Sequence, residues 1–403
     1  MSKSLRTLLL IWLAWAAILI VFQNVVPQRL LLRRPDFALE WTPGETGAHS
    51  QDDKPYLIDK FMNQQVAWDS EYYLSIAVGG YDDPIMRRIP IRETGEAVSQ
   101  NYAFFPFYPH LMGVVMIPLS ILGLTPIGTA TLAGILVALV GTLLGMIGLY
   151  DLAREELGED GAIRAAFYLL IFPSGFFLAQ VYTEGLFVGL VFCSLALLRR
   201  QQLGWAAVLA VLAVWTRAVG VALIVPLALT WYQGLHGKPI NRQVLWRGLA
   251  VLLPVAAYVV WSLSAWGVNF RAVEENFFGR GLFLIEDSWQ RWREAWAAIS
   301  GTNSQAAVYY ALEFATVALA LTACGLTLRH YPGVAWFGLT AIAIAVFSGW
   351  PQSMLRYMLI VPANYLVLSR WGRHAAFDRA WTLGSTLIMS ILALLYTFDM
   401  WVA

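Results

Sequence analysis

The chain has 403 residues, of which 59% are hydrophobic and 13% charged, and its formal net charge is +1 at pH 7. A charged share of roughly half that of a soluble domain indicates a polytopic membrane protein. A net charge close to zero gives no basis for the basic face that nucleic-acid binding needs, and no P-loop or Rossmann fingerprint supports a nucleotide site.

Apolar runs long enough to cross about 30 Å of hydrocarbon recur along the chain. They predict an all-α fold with about eleven transmembrane helices. No repeat or linker divides residues 1–403, so we expect one membrane-embedded unit. The first run lacks a small-residue cleavage site, and we interpret it as a retained span rather than a signal peptide. The runs cover approximately residues 4–23, 126–150, 162–179, 183–198, 203–216, 219–233, 247–266, 306–328, 332–349, 354–369 and 380–401.

Residues 104–122 form a further apolar run, and whether it crosses the membrane decides on which side every later loop lies. If it does not cross, nearly all positive charge in short loops falls on one side, which is then the cytoplasm. We therefore expect an interfacial helix at the outer face, with an ordinary span as the alternative. The basic residues concerned are Arg154, Arg164, Arg199, Arg200, Lys238, Arg242, Arg247, Arg329, Arg370, Arg373 and Arg379.

With that orientation, residues 24–125 form a long first outer loop, and its aromatic content argues against disorder. Apolar residues from Ile58 to Ile76 recur at roughly helical spacing and predict an interfacial helix that presents Asp69. A carboxylate in a partly desolvated cleft suits a general base. The alternative is that Asp69 only caps or solvates the helix.

Three further charged residues stand at the outer ends of apolar runs. Ionisable groups at membrane depth are costly, so Glu184 is a functional candidate, although it also suits the N-terminus of the following helix. Arg217 and Arg356 carry the planar fork that binds a pair of phosphate oxygens. Their alternative role is to extend toward lipid headgroups.

No residue pattern predicts a cofactor or a metal ion. The histidines are scattered without ligand spacing, and no Asp-x-Asp pair occurs. Cys193 and Cys324 lie inside apolar runs, where a thiol behaves as a small hydrophobe. The Asp82-Asp83 pair is more typical of a turn.

Several short motifs occur in an order that is typical of one family. They are Trp68-Asp69-x-x-Tyr72, Ile76-Ala77, Gly80-Tyr81, Tyr102-Ala103-Phe104-Phe105-Pro106-x-Tyr108-Pro109, Tyr182-Thr183-Glu184-x-x-Phe187, Thr216-Arg217-x-x-Gly220 and Arg356-Tyr357. Together they resemble the PIG-V family of GPI mannosyltransferase II, a branch of the GT-C glycosyltransferases. The resemblance spans most of the chain, and the Trp-Asp and Phe-Phe-Pro blocks are its specific part.

The resemblance implies a GT-C type fold with its active site on the outer side. It also implies transfer of mannose, with inversion, from a polyprenyl-phosphate carrier to a lipid-linked or glycan acceptor. Asp69 matches the catalytic acid of the first loop and Glu184 a second acidic position. Arg217 and Arg356 match family positions, and their assignment to the donor phosphate is our inference. The absence of Asn-x-Ser/Thr sequons favours a prokaryotic plasma membrane, which leaves the acceptor and the sugar open.

The expected reaction is direct displacement, in which Asp69 takes the proton of an acceptor hydroxyl and the lipid phosphate leaves. A flippase for lipid-linked sugars is a rival interpretation, but it would place polar residues in mid-span between related halves. A noncatalytic assembly subunit is a third. Residues expected to line the substrate are Trp68, Tyr72, Tyr102, Phe104, Phe105, His110, Tyr182, Trp350 and Tyr357.

Overall fold

The computed structural model describes residues 2–32, 35–91, 95–235, 242–281 and 283–402, without the side chains of residues 243–246. Lys238, one of the residues used to orient the chain, lies outside them. Helices are the dominant secondary structure of the described chain, and one two-stranded sheet accompanies them. The helices are α1 (Lys3–Arg29), α2 (Thr42–Glu45), α3 (Ser70–Gly79), α4 (Phe107–Leu119), α5 (Pro126–Leu170), α6 (Glu184–Arg199), α7 (Leu203–Val214), α8 (Ile224–Gln233), α9 (Arg242–Leu263), α10 (Ala265–Val273), α11 (Ile285–Ile299), α12 (Ser304–Thr327), α13 (Pro332–Val346), α14 (Met354–Tyr357), α15 (Pro362–Trp371) and α16 (Ala375–Thr397).

Strand β1 (Arg88–Pro90) pairs antiparallel with β2 (Ala97–Ser99), with Ile89 opposite Val98. The turn before this hairpin is anchored by Asp83, which is buried and accepts hydrogen bonds from Ser75 Oγ (2.7 Å) and from the hydroxyl of Tyr56. Asp83 therefore serves a turn, the role that the Asp82-Asp83 pair suggested.

Four described helices, α1, α5, α12 and α16, are long and apolar enough to cross a membrane. The pair α9 and α10 would add a fifth span if its 80° bend lies within one crossing. The chain is an integral membrane protein. Helices occupy the other predicted runs, but several are short: α7 has 12 residues and is about 18 Å long. The predicted run 162–179 is helical only to Leu170, followed by a 3₁₀ turn over Gly175–Ala179.

Helices α5 and α6 approach closely along glycines, which is a common device in membranes. A Cβ added at Gly141 would lie 2.5 Å from the Cα of Leu186, and one at Gly185 would lie 2.2 Å from the carbonyl oxygen of Ala138. This contact fixes the N-terminal end of α6, where Glu184 lies.

Residues 104–122 contain α4, which begins after Pro106 and has 13 residues, followed by a 3₁₀ turn over Ser120–Leu122. Its length is about 20 Å, which is less than the hydrocarbon thickness. Val114 and Ile117 are exposed on its surface.

The prediction of one helix from Ile58 to Ile76 is wrong. Residues before α3 form two 3₁₀ turns, and α3 begins only at Ser70. Met62 and Trp68 both have a φ of 52°, in the left-handed region, and a right-handed helix cannot continue through such residues. The apolar spacing there arises from separate turns packed on the same core.

Candidate functional site

A cavity of about 870 Å³ lies beside the N-terminal end of α3. Its volume falls within the range of small-molecule sites. It is lined by nine of the sequence-predicted site residues: Trp68, Asp69, Tyr72, Phe104, Phe105, Arg217, Trp350, Arg356 and Tyr357. The structure therefore brings most of the predicted site residues together around one cavity.

Asp69 occupies the N-cap position of α3, yet its side chain makes no capping hydrogen bond. Its Oδ2 atom instead accepts a hydrogen bond from Nη1 of Arg356 at 2.7 Å. The backbone N–H of Asp69 donates to the hydroxyl of Tyr182, which donates to the carbonyl oxygen of Ala67. The Asp69 carboxylate is thus held at the cavity wall with 19% of its side chain exposed, and the capping alternative is not realised.

Glu184 is the first residue of α6 and is fully buried. One of its oxygens, Oε1, pairs with Nη1 of Arg217 and lies 3.5 Å from Nε of Arg356. Arg217 Nη1 also lies 3.3 Å from Thr183 Oγ1. Glu184 does not line the cavity, so it contacts the site through the two arginines.

These contacts join Asp69, Arg356, Glu184 and Arg217 into one ion-pair network of alternating charge. Two carboxylates and two guanidinium groups balance each other, which offsets the cost of burying them. The Arg356 guanidinium also lies over the rings of Tyr182 and Tyr357, at 5.2 and 5.6 Å from their centroids. Both predicted phosphate-binding arginines are therefore already paired.

Arg356 is placed by α14, a helix of only four residues. The carboxylate of Glu313 on α12 accepts the backbone N–H of Ser353 at 2.9 Å and that of Leu355 with its other oxygen. Ser353 has a φ of 68°, which is strained for serine. Glu313 was missed from the sequence, although a carboxylate in mid-span is itself a signal of function.

Aromatic rings form two walls of the cavity. Tyr72 stacks on Phe104 with centroids 4.6 Å apart, and Phe105 stacks on Trp261 at 4.2 Å. A cluster of Trp41, Trp68 and Trp401 stands at another side, with centroids 4.8 to 5.7 Å apart. Trp41 and Trp401 were not predicted.

Besides Glu184, three of the predicted residues do not line the cavity. Tyr182 is buried behind Asp69 and supports its backbone. Tyr102 donates to Oδ2 of Asp82 at 3.0 Å, away from the network. His110 is exposed and bonds through Nδ1 to the carbonyl oxygen of Pro106.

Charged residues that the sequence did not single out also line the cavity: Glu45, Lys54, Glu71, Arg87, Arg271, Glu274, Glu275, Arg280, Arg291 and Asp399. Burial raises the pKa of Glu71 to about 7, although Arg87, at 3.9 Å, acts in the opposite direction. Most of the others lie in the first outer loop or in residues 267–305. The composition of these segments does not show which of their residues contact the site.

Within the part of the chain that the structure describes, no three His, Cys, Asp or Glu side chains are grouped as a metal site would need.

Residues 48–238 match the family model of the PIG-V mannosyltransferases. Over these residues, which make up slightly less than half of the chain, the protein is similar to the PIG-V family. The resemblance seen in the motifs is confirmed by this match, which contains Asp69, Glu184 and Arg217. The PIG-V match ends before Arg280, Glu313 and Arg356, so it gives no support for the roles of these residues.

Similar solved structures include the archaeal oligosaccharyltransferase AglB from Archaeoglobus fulgidus, in complex with an inhibitory peptide and a dolichol-phosphate. The TM-score is 0.43 at 14% identity, covering 96% of this chain and 55% of that one. Another is ArnT from Cupriavidus metallidurans bound to undecaprenyl phosphate, with TM-score 0.44 and 15% identity, covering 96% and 76%. The chain spans about half the length of the oligosaccharyltransferase. No curated protein sequence matches it.

Proposed function

We propose that this protein is an inverting glycosyltransferase that moves a hexose, with mannose expected from its family, from a polyprenyl-phosphate carrier to a hydroxyl of a lipid-linked or glycan acceptor. The observation that carries the proposal is the Asp69 carboxylate, free of any capping role and facing a cavity of about 870 Å³. The family match supports the reaction class. The charge pattern of the loops supports an active site on the outer face of the membrane, and the absence of Asn-x-Ser/Thr sequons favours a prokaryotic plasma membrane.

Asp69 accepts the proton of the acceptor hydroxyl as its oxygen attacks the anomeric carbon. The bond between that carbon and the phosphate oxygen breaks on the opposite face, and the lipid phosphate leaves with the electron pair. One displacement inverts the anomeric centre. Arg356 orients the Asp69 carboxylate for this step through its 2.7 Å hydrogen bond. Holding both substrates in one cavity lowers the entropic part of the activation barrier.

The aromatic walls suit the ring faces of sugars. Tyr72 and Phe104 are stacked on each other and line the cavity, and Trp350 lines it as well. Arg217 and Arg356 also line the cavity, which is necessary for residues that bind the donor phosphate. Their carboxylate partners compensate most of the charge that they offer to an incoming anion.

The test is transfer from radiolabelled polyprenyl-phosphate mannose to total membrane lipid of the native source, with purified protein in lipid. Asp69→Asn should lower turnover by about 100-fold or more while donor binding is retained, because the amide cannot accept the proton. Asp82→Asn is the matched control, since Asp82 does not line the cavity. Equal transfer by wild type and Asp69→Asn would reject Asp69 as the base, and donor binding without transfer by wild type would favour a flippase or scaffold.

A further inference from the structure

The arginines that line the cavity differ in how their charge is balanced. Arg217 and Arg356 contact the carboxylates of Glu184 and Asp69. Within the described ranges, no carboxylate oxygen lies within 4.0 Å of the guanidinium nitrogens of Arg280 or Arg291. These two side chains therefore bring positive charge to the cavity that a ligand can neutralise.

Arg280 is fixed by neutral acceptors. Its Nη1 atom donates to Oγ of Ser348 and its Nη2 atom to the carbonyl oxygen of Gln352, both at 3.1 Å. Its remaining N–H groups are available, because a guanidinium carries five donors. Neutral groups set its orientation, so no carboxylate in direct contact occupies the guanidinium, although Glu274 interacts with its charge from beyond contact distance.

Arg291 is close enough to Arg280 for their charges to interact, and it hydrogen-bonds to the residue that precedes Arg280. Its Nη1 atom donates to the carbonyl oxygen of Gly279 at 3.2 Å, and its guanidinium carbon lies 3.8 Å from the ring centroid of Trp350. Burial lowers the pKa of Arg291; Asp287 opposes this effect, whereas the charge of Arg280 adds to it. Two like charges held together favour a bound anion between them.

An apolar surface adjoins this pair of arginines. Ala341, Ile344 and Ala345 share one face of α13 and line the cavity, and the chain then reaches Ser348, the hydrogen-bond partner of Arg280. The spacing i, i+3, i+4 places them side by side. An amphiphilic ligand would thus find hydrocarbon contacts beside the two guanidinium groups.

We propose that Arg280 and Arg291 form the binding site for the phosphate of an isoprenoid phosphate, with its hydrocarbon chain along the α13 face. This inference rests on the proposed function and reassigns the phosphate from Arg217 and Arg356, whose role is to hold the carboxylates. The Cζ atoms of Arg217, Arg280 and Arg356 lie 5.1, 5.4 and 5.6 Å from the centroid of the Tyr357 ring. The phosphate site therefore adjoins the network that contains Asp69.

Calorimetric titration of the purified full chain in detergent with farnesyl phosphate tests this assignment. Arg280→Gln and Arg291→Gln should each weaken binding by about tenfold or more, since each removes a charge-assisted hydrogen bond. Arg280→Lys should lose less, because it keeps the charge. Arg88→Gln, on an exposed arginine outside the cavity, should match wild type, and an unchanged melting temperature excludes misfolding.

Farnesol, inorganic phosphate and phosphatidylglycerol separate the possible ligands, and all three should bind more weakly than farnesyl phosphate. Equal binding of inorganic phosphate or phosphatidylglycerol would overturn the isoprenoid assignment. If farnesyl phosphate binding is retained in Arg280→Gln and Arg291→Gln but lost in Arg217→Gln, the phosphate binds at the ion-pair network instead. That result would overturn this assignment and leave the proposed function intact. No binding by wild type would overturn the site, and the transfer assay with Asp69→Asn then judges the function separately.

Discussion

Arg356 joins the two acidic residues of the site, with its Nη1 atom 2.7 Å from Oδ2 of Asp69 and its Nε atom 3.5 Å from Oε1 of Glu184. One guanidinium thereby sets the position of the carboxylate that faces the cavity and contacts the carboxylate buried behind it. Only a planar fork with several donors can reach both.

Replacing this fork by a single ammonium tests its geometry. Arg356→Lys keeps the charge but cannot bridge Asp69 and Glu184 at once, so we expect turnover to fall by about 10- to 100-fold. Steady-state transfer kinetics measure the change. The matched control is Arg373→Lys, at an exposed arginine on the carbonyl oxygen of Glu156. Unchanged turnover in Arg356→Lys would show that charge alone suffices.

The membership of this network follows from the sequence, whereas its pairing does not. Glu184, Arg217 and Arg356 were recognisable because each is a charged residue at the end of an apolar run, where charge is costly. Asp69 was recognisable from the apolar spacing and the Trp-Asp motif around it in the first outer loop. Their contacts join distant parts of the chain: Asp69 and Arg356 are 287 positions apart. Periodicity carries no information on such distances, so the sequence assigned both arginines to a phosphate and overlooked their carboxylate partners.

The local structure around Asp69 shows a second limit. A stripe of apolar residues predicts a continuous helix, but a single residue with positive φ ends a right-handed helix. Glycine usually signals such a position in a sequence. Here the residue with positive φ is Trp68, so the sequence gives no such signal. The packing of Trp68 against Trp41 and Trp401 accompanies this conformation. These partners are remote in sequence, and the pattern therefore overextended the helix.

Removing the charge of Glu184 should destabilise the protein more than removing that of Asp69. Glu184→Gln leaves Arg217 without its carboxylate in a buried setting, a loss of about 3 to 5 kcal/mol for comparable pairs. Asp69 is partly exposed, and its partner Arg356 retains Glu184. Thermal unfolding in one detergent compares the two variants. The double variant Glu184→Gln with Arg217→Gln should recover part of the loss, and a melting temperature equal to wild type in Glu184→Gln would contradict the buried ion pair.

Glu313 is expected to act on turnover through Arg356. In Glu313→Gln the amide nitrogen replaces one of the two oxygens that accept backbone N–H groups of Ser353 and Leu355. One N–H then loses its acceptor and α14 shifts, so kcat should fall by about tenfold while KM for the donor changes little. Transfer kinetics at varied donor concentration separate kcat from KM.

A double-mutant cycle distinguishes this positioning role from a general loss of structure. If Glu313 acts through Arg356, then Glu313→Gln should have a smaller effect on kcat in the Arg356→Lys background than in wild type. The same fold loss in both backgrounds would instead mean that the two residues act independently.

Glu71 should make stability depend on pH. Its folded pKa is about 7 because of burial, against an ordinary value of 4.5, so the folded protein holds a proton that the unfolded chain releases. Stability therefore falls as pH rises from about 4.5 to about 7 and is level above, with a total change of about 3 kcal/mol from this group. Glu71→Gln mimics the protonated form, and its melting temperature should exceed that of wild type at pH 8 but match it at pH 4. The exposed Glu286 supplies the control variant, Glu286→Gln. A gap between Glu71→Gln and wild type that stays constant from pH 4 to pH 8 would contradict the buried, proton-binding state of Glu71.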